Sequence, residues 1–327
     1  YQALVLFINN NAAELRYNIK WMEYSENILT VEHLKKSYKV SSGAIDVLKG
    51  VNLELGNGVT AILGPNGAGK TTLIKICTDL LEFEEGQVAY CGKDLKSMTK
   101  KEKSQTFSLL SEGSRNLYYK LTPLENIKYF ATLRGISFES IKDYSLNLLQ
   151  KLNLYEKKNE MVENLSRGMQ QKVAVVCALS MNTPVTFLDE PTLGLDMESS
   201  INLSKFLRNP EFTSNRSIII TSHDFSFIEN TATQIYKLQD GMMIEKKDIG
   251  ENDDTFIIRI NHPDIDKIND DGLEVIDTCS QYCTIKISTS SLKLGEEIHK
   301  LNDAGHDIVY VEAANQNITN FYLNEEQ

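Results

Sequence analysis

Long apolar runs are missing from this sequence. None approaches the ~18 residues that a membrane-spanning helix needs. Near the start the longest is Ala3–Ile8, without the basic flank or cleavage pattern of a signal peptide. Any action at a membrane is therefore expected to run through another subunit. Positive charge is also scarce: 34 Lys and Arg against 45 Asp and Glu leave a formal net charge of -11. Phosphate backbones repel so acidic a chain, and no nucleic-acid partner is expected. Cysteines are few and odd in number, namely Cys77, Cys91, Cys177, Cys279 and Cys283, with no C-x-x-C pair. That excludes a disulfide framework and reads as free thiols in a reducing cytoplasm. Cys279 and Cys283 lie four apart, but no second ligand pair accompanies them, so a metal site there is not expected. Internal repeats and low-complexity tracts are absent. The chain opens on Tyr1 rather than methionine, as expected of a processed, truncated or expressed piece. Residues 1–27 show neither period nor motif and read as an appendage.

What remains is a chain of 327 residues, 41% hydrophobic and 24% charged, sufficient for two domains with a sizeable core. Alternation predicts strands over Ile28–Leu34 and Ile45–Leu55, and a short apolar strand over Val59–Leu63. Leu73, Ile74, Ile76, Cys77, Leu80 and Leu81 follow a helical period, which predicts a helix over Lys70–Leu81. Further helices are predicted over Leu124–Leu133, Ile141–Leu152 and Ser166–Leu179, and buried strands over Val185–Leu188 and Ser217–Thr221. Short apolar strands alternating with helices predict an α/β fold with a largely parallel sheet covered on both faces. The polar, acidic stretch Asp248–Asp254 reads as a linker. Beyond it, strands Thr255–Ile260, Leu273–Thr278, Tyr282–Ile287 and Asp307–Val311, with helices Leu292–Leu301 and Asn317–Leu323, predict a small α+β domain over residues 255–327.

The chemistry starts at Gly64-Pro65-Asn66-Gly67-Ala68-Gly69-Lys70-Thr71, a full match to G-x-x-x-x-G-K-[ST]. Glycines let the backbone curl so that successive N–H groups face phosphates, and the positive end of the next helix adds to that field. In such a loop Lys70 reaches the β- and γ-phosphates and Thr71 offers its hydroxyl to Mg²⁺. Val185–Leu188 then ends in two carboxylates. Asp189 is placed to hold the ion and Glu190 to polarise the attacking water.

Five segments together resemble the ATP-binding subunits of ABC transporters: Gly64–Thr72, Leu165-Ser166-Arg167-Gly168-Met169, Leu188-Asp189-Glu190-Pro191-Thr192, Gly194-Leu195-Asp196 and Thr221-Ser222-His223-Asp224. The resemblance covers about residues 28–247, with a helical subdomain at about 113–164. It implies a P-loop ATPase with ATP and Mg²⁺ as cofactors, working as a homodimer or paralogous heterodimer. Ser166 and Gly168 would bind the γ-phosphate of ATP held by the opposite subunit. Asp196 resembles the aspartate that crosses the dimer interface, His223 the histidine that contacts the γ-phosphate, and Tyr38 the aromatic ring stacked on adenine.

Two departures stand out. Arg167 and Met169 replace the usual glycine and glutamine of the signature. Glu112 stands where the family places a glutamine; it keeps acceptors for a metal ion but offers no amide donor. L-S-R-G-M resembles variants of the exporter branches, and the loop over Ser111–Leu124 resembles drug- and polysaccharide-export or sodium-export subunits. The tail over Thr255–Gln327 resembles the small C-terminal domain of daunorubicin-resistance-like subunits, expected to support dimer contact or regulation. The resemblance therefore implies the motor of an exporter, held at the inner face of the cell membrane by a separate permease. A ribosome-associated ABC protein would want two ATP modules, and a chromosome or DNA-repair ATPase long coiled coils. This chain has one P-loop and no sustained heptads.

Overall fold

The structure is a computed structural model, and it describes residues 28–41, 43–113, 117–248, 254–261, 274–278, 282–289, 294–303 and 305–314. The appendage over 1–27, Cys279 and the helix expected at Asn317–Leu323 lie outside the described residues. Two compact units make up the chain, Tyr1–Lys247 and Asp248–Gln327.

In the first unit, β1 (Leu29–Val40), β2 (Gly43–Leu55) and β3 (Gly58–Leu63) follow one another closely. β3 is buried over Val59–Leu63 and runs through a loop into α1 (Lys70–Cys77). Next come β4 (Glu85–Tyr90), β5 (Lys93–Asp94), α2 (Lys100–Thr106) and β6 (Phe107–Leu110). Three helices follow, α3 (Pro123–Leu133), α4 (Phe138–Lys151) and α5 (Arg167–Ser180). The unit closes with β7 (Val185–Asp189), α6 (Met197–Arg208), α7 (Pro210–Thr213), β8 (Ser217–Thr221), α8 (Phe225–Thr231), β9 (Gln234–Gln239) and β10 (Met242–Asp248).

Six strands build the central sheet in the order β10-β9-β3-β8-β7-β6. Every pair from β9 to β6 is parallel. All five residues of β7 and of β8 are buried, which is why their sequences are apolar runs rather than alternations. A second sheet, β2-β1-β4-β5, is antiparallel and was not foreseen. Its inner residues Leu29, Val31, Leu34, Leu53 and Leu55 share one core with Ile62 and Phe187 of the first sheet and with Ile74 of α1.

Several boundaries move. α1 stops at Cys77, not Leu81: Thr78 turns its hydroxyl back onto the Ile74 carbonyl at 2.8 Å, and Asp79 takes a left-handed φ of 60°. Leu80, counted as part of the apolar face, is 65% exposed. The linker is shorter than Asp248–Asp254, because Asp248 completes β10 and Asp254 opens the next strand.

The second unit carries β11 (Asp254–Asn261), β12 (Glu274–Thr278), β13 (Tyr282–Thr289), α9 (Leu294–Asp303) and β14 (Asp307–Ala314). Its sheet, ordered β12-β13-β11-β14, is antiparallel throughout. Ile258, Ile260, Cys283, Ile285 and Leu301 form its core.

Candidate nucleotide site

Parallel pairing delivers the C-terminal ends of neighbouring strands to one edge of the sheet, where ligands of open α/β sheets bind. Here β3 ends in the glycine-rich loop, β8 in Ser222-His223, β7 in Asp189-Glu190 and β6 in Ser111-Glu112. The four ends surround a cavity of about 340 Å³ whose lining includes Asn66, Gly67, Gly69, Lys70, Thr71, Thr72, Glu112, Asp189, Glu190 and His223, joined by Val47 from β2. Gly64, Pro65 and Ala68 shape the loop without lining the cavity.

The loop needs its glycines for space and for backbone angle. A Cβ on Gly64 would stand 2.2 Å from the Leu238 carbonyl oxygen of β9. Gly69 caps α1 with a φ of 108°, left-handed backbone that favours glycine. Lys70 folds its ammonium back onto the loop, donating to the carbonyls of Gly64 at 2.5 Å and Pro65 at 3.1 Å. Burial lowers the Lys70 pKa, and the carboxylates of Glu190, Asp189 and Glu112 oppose that shift.

Asp189 and Thr221 face each other in register across β7 and β8. Thr221 Oγ1 donates to Asp189 Oδ1 at 2.5 Å, and Thr71 Oγ1 donates to Asp189 Oδ2 at 3.2 Å. Glu190 is 9% exposed and takes a left-handed φ of 51°, strained for a residue with a side chain. Its backbone N–H donates to the Thr221 carbonyl and to Thr221 Oγ1, both at 3.1 Å. Its Oε2 accepts from the His223 N–H at 3.4 Å. Oε1 lies 3.3 Å from His223 Nε2, an ion-pair distance without hydrogen-bond geometry, so this buried oxygen has no donor among the described residues. Burial pushes the Glu190 carboxyl above the usual range; His223 opposes the shift, while nearby Asp189 adds to it.

The remaining expected residues stand elsewhere. Tyr38 is an exposed residue of β1 with Lys36 Nζ 5.5 Å from its ring centroid, and it does not line the cavity. Ser166 caps α5, accepting from Met169 N at 3.2 Å, and Gly168 lies in that helix's first turn. Asp196 caps α6 by accepting from Ser199 N at 2.7 Å; hydrogen bonding to Ser199, through its side chain first and its backbone second, holds the Asp196 carboxyl below the usual range. None of these three lines the cavity. Sequence reasoning missed Val47 and Gln171, and it named Thr221 only as part of a motif, without its bonds to Asp189 and Glu190. Gln171 Nε2 donates to the carbonyls of Glu190 and Pro191.

A P-loop between strand and helix, with an acidic strand end beside it, defines a P-loop nucleoside triphosphatase. Residues 48–193 match the ABC transporter family. The lantibiotic transport ATP-binding protein SrtF of Streptococcus pyogenes is 31% identical over 222 residues, covering 68% of this chain and 91% of SrtF. The methionine import ATP-binding protein MetN of Clostridioides difficile (strain 630) is 29% identical over 241 residues, covering 70% of each chain. Among solved structures, the dimeric bacterial ABC transporter cassette MJ0796 matches with a TM-score of 0.62 at 25% identity, covering 68% of this chain and 99% of that one. The chain belongs to the ABC transporter ATP-binding proteins: it binds ATP and is an ATPase. Among the described residues no helix is long and apolar enough to cross a membrane.

Proposed function

We propose that this chain is the motor subunit of an ABC exporter, coupling ATP hydrolysis in a closed dimer to a separate membrane permease. The observation that carries this reading is a division within the site. Lys70, Thr71, Glu112, Asp189, Glu190 and His223 line one cavity, whereas Ser166, Gly168 and Asp196 stay outside it. The second group is then free to complete the cavity of another subunit. Two copies, or this chain and a paralogue, would enclose two ATP molecules between them. Export rather than import rests on L-S-R-G-M at Leu165–Met169 and on the loop around Glu112. In this reading the permease holds the chain at the inner face of the cell membrane.

Within the cavity, Lys70 and the loop amides hold the triphosphate, and His223 contacts its terminal phosphate. Thr71 Oγ1 and Asp189 Oδ2 converge to 3.2 Å, with the Glu112 carboxylate in the same wall. Such oxygen donors fit Mg²⁺. When bound, the ion would offset charge that builds up on the phosphates. Glu190, buried with one oxygen free of donors among the described residues, accepts the proton of the attacking water.

Glu190→Gln tests this. The amide preserves shape but cannot take the proton, so turnover should fall by about 10²–10⁴-fold while ATP is still bound. Slow hydrolysis should let the closed dimer accumulate, so size-exclusion chromatography with ATP and Mg²⁺ should give a dimer for the variant and mostly monomer for the parent. Undiminished phosphate release, or elution unaffected by ATP, would overturn the reading. The export direction is tested separately, by loading the co-purified permease into vesicles and following which way cargo moves.

A further inference from the structure

Helix α5 begins at the Ser166-Arg167-Gly168 segment, and one turn further in it carries two neighbouring glutamines that reach different places. Gln170 Nε2 donates to the carbonyls of Val162 and Leu165, both at 3.0 Å, and so ties the helix to the 3-10 turn before it. Gln171 Nε2 instead donates to the carbonyls of Glu190 and Pro191, both at 3.2 Å. One amide nitrogen has two hydrogens, and both are committed here to consecutive peptide oxygens.

Those oxygens belong to the backbone that aims Glu190. With a φ of 51°, Glu190 sits where a side-chain-bearing residue persists only if its surroundings hold it. From β8, Thr221 holds the Glu190 N–H. The Glu190 carbonyl is held by the Leu193 N–H at 3.2 Å, within the same turn, and by Gln171 from another element. Methionine would fill the space of Gln171 without donating, and glutamate would set acceptors against acceptors.

We propose that Gln171 is a positioning residue for the hydrolytic step: its amide braces the Glu190 backbone from helix α5 and thereby aims the Glu190 carboxylate into the ATP cavity. It joins the part of the chain offered to a second subunit, at the start of α5, to the part that acts on the chain's own ATP. This proposal rests on the role given to Glu190 above.

The test uses the full chain with two substitutions of opposite chemistry. Gln171→Met keeps length and removes the donors. Gln171→Lys keeps N–H donors at similar reach. Misplacing a reacting group by about an ångström can cost up to ~100-fold, so Gln171→Met should lower kcat by about 10- to 100-fold, with the ATP dissociation constant within about twofold of the parent. Gln171→Lys should stay within about threefold of parental kcat. The third measurement is a double-mutant cycle. Added to Glu190→Gln, the Gln171→Met change should slow turnover no further, because no catalytic carboxylate remains to be aimed. A Gln171→Met variant with parental kcat would overturn the proposal. So would equal losses in the Met and Lys variants, a matching loss of ATP affinity, or a further independent loss on the Glu190→Gln background. If Glu190→Gln alone leaves hydrolysis untouched, it is instead the reading of Glu190 that fails.

Discussion

Lys70 and Gly64 belong to one loop, yet substituting them should produce different failures. Lys70→Ala removes the half-buried charge that the proposed function assigns to the terminal phosphates; losing a comparable electrostatic stabiliser costs about 3–4 kcal/mol. ATPase assays should find turnover or ATP affinity nearly abolished, and activity within threefold of the parent would contradict the assignment. Gly64→Ala instead drives a Cβ into the Leu238 carbonyl of β9, with the full clash falling on backbone. Urea unfolding should record a loss of at least the ~1–3 kcal/mol typical of an overpacked core. Parental stability in that variant would mean the loop can step away from β9. Residues of this kind were legible in the sequence because the motif is local: its glycines, lysine and threonine fall within eight consecutive positions. Gln171 was not legible. Its helical period marks it only as a flank of the buried face, and its partners are backbone oxygens of Glu190 and Pro191, which no side-chain pattern encodes.

The elements themselves were readable wherever burial on both faces or a cap left a local mark. Helix α3 is an example. Thr122 accepts from Glu125 N at 3.2 Å, Glu125 Oε2 accepts from Thr122 N at 2.8 Å, and Pro123 takes the first helical position. Thr122→Ala should cost about 1 kcal/mol, measurable as a lower urea midpoint with unchanged slope; no shift would mean that Asn126, which bonds the carbonyls of Tyr118 and Thr122, already fixes the helix start. The antiparallel sheet was harder to foresee. β1 departs from regular register against β2 between Val31 and Leu34, between Leu34 and Lys35, and between Lys36 and Ser37, so its alternation breaks. The packing of α1 and α5 makes a further prediction. Cys77 and Cys177 are buried; burial pushes the Cys77 thiol up to about 12 and raises Cys177 as well. Because thiolate is the reactive form, brief alkylation of the native chain followed by peptide mapping should leave both unmodified. Labelling at the unfolded rate would contradict the core placement.

At the scale of the whole molecule, the second unit has its own core of Ile258, Ile260, Cys283, Ile285 and Leu301. We expect a chain ending at Lys247 to remain folded and to bind ATP with Mg²⁺, as isothermal titration would record; a folded but non-binding fragment would show that the ATP site needs the second unit. Composition marks residues 248–254 as an acidic stretch, and two of its residues, Asp248 and Asp254, are taken up by strands. The left-handed backbone at Glu190 has a consequence for laboratory evolution. A non-glycine residue held there costs about 1–3 kcal/mol, which asparagine or glycine would largely relieve. A library selected for heat tolerance alone should therefore accumulate those two residues at position 190. If Glu190 has the role proposed for it, the survivors would be sturdier proteins with little ATPase activity, so heat-tolerance screens of this chain need an ATPase counter-selection.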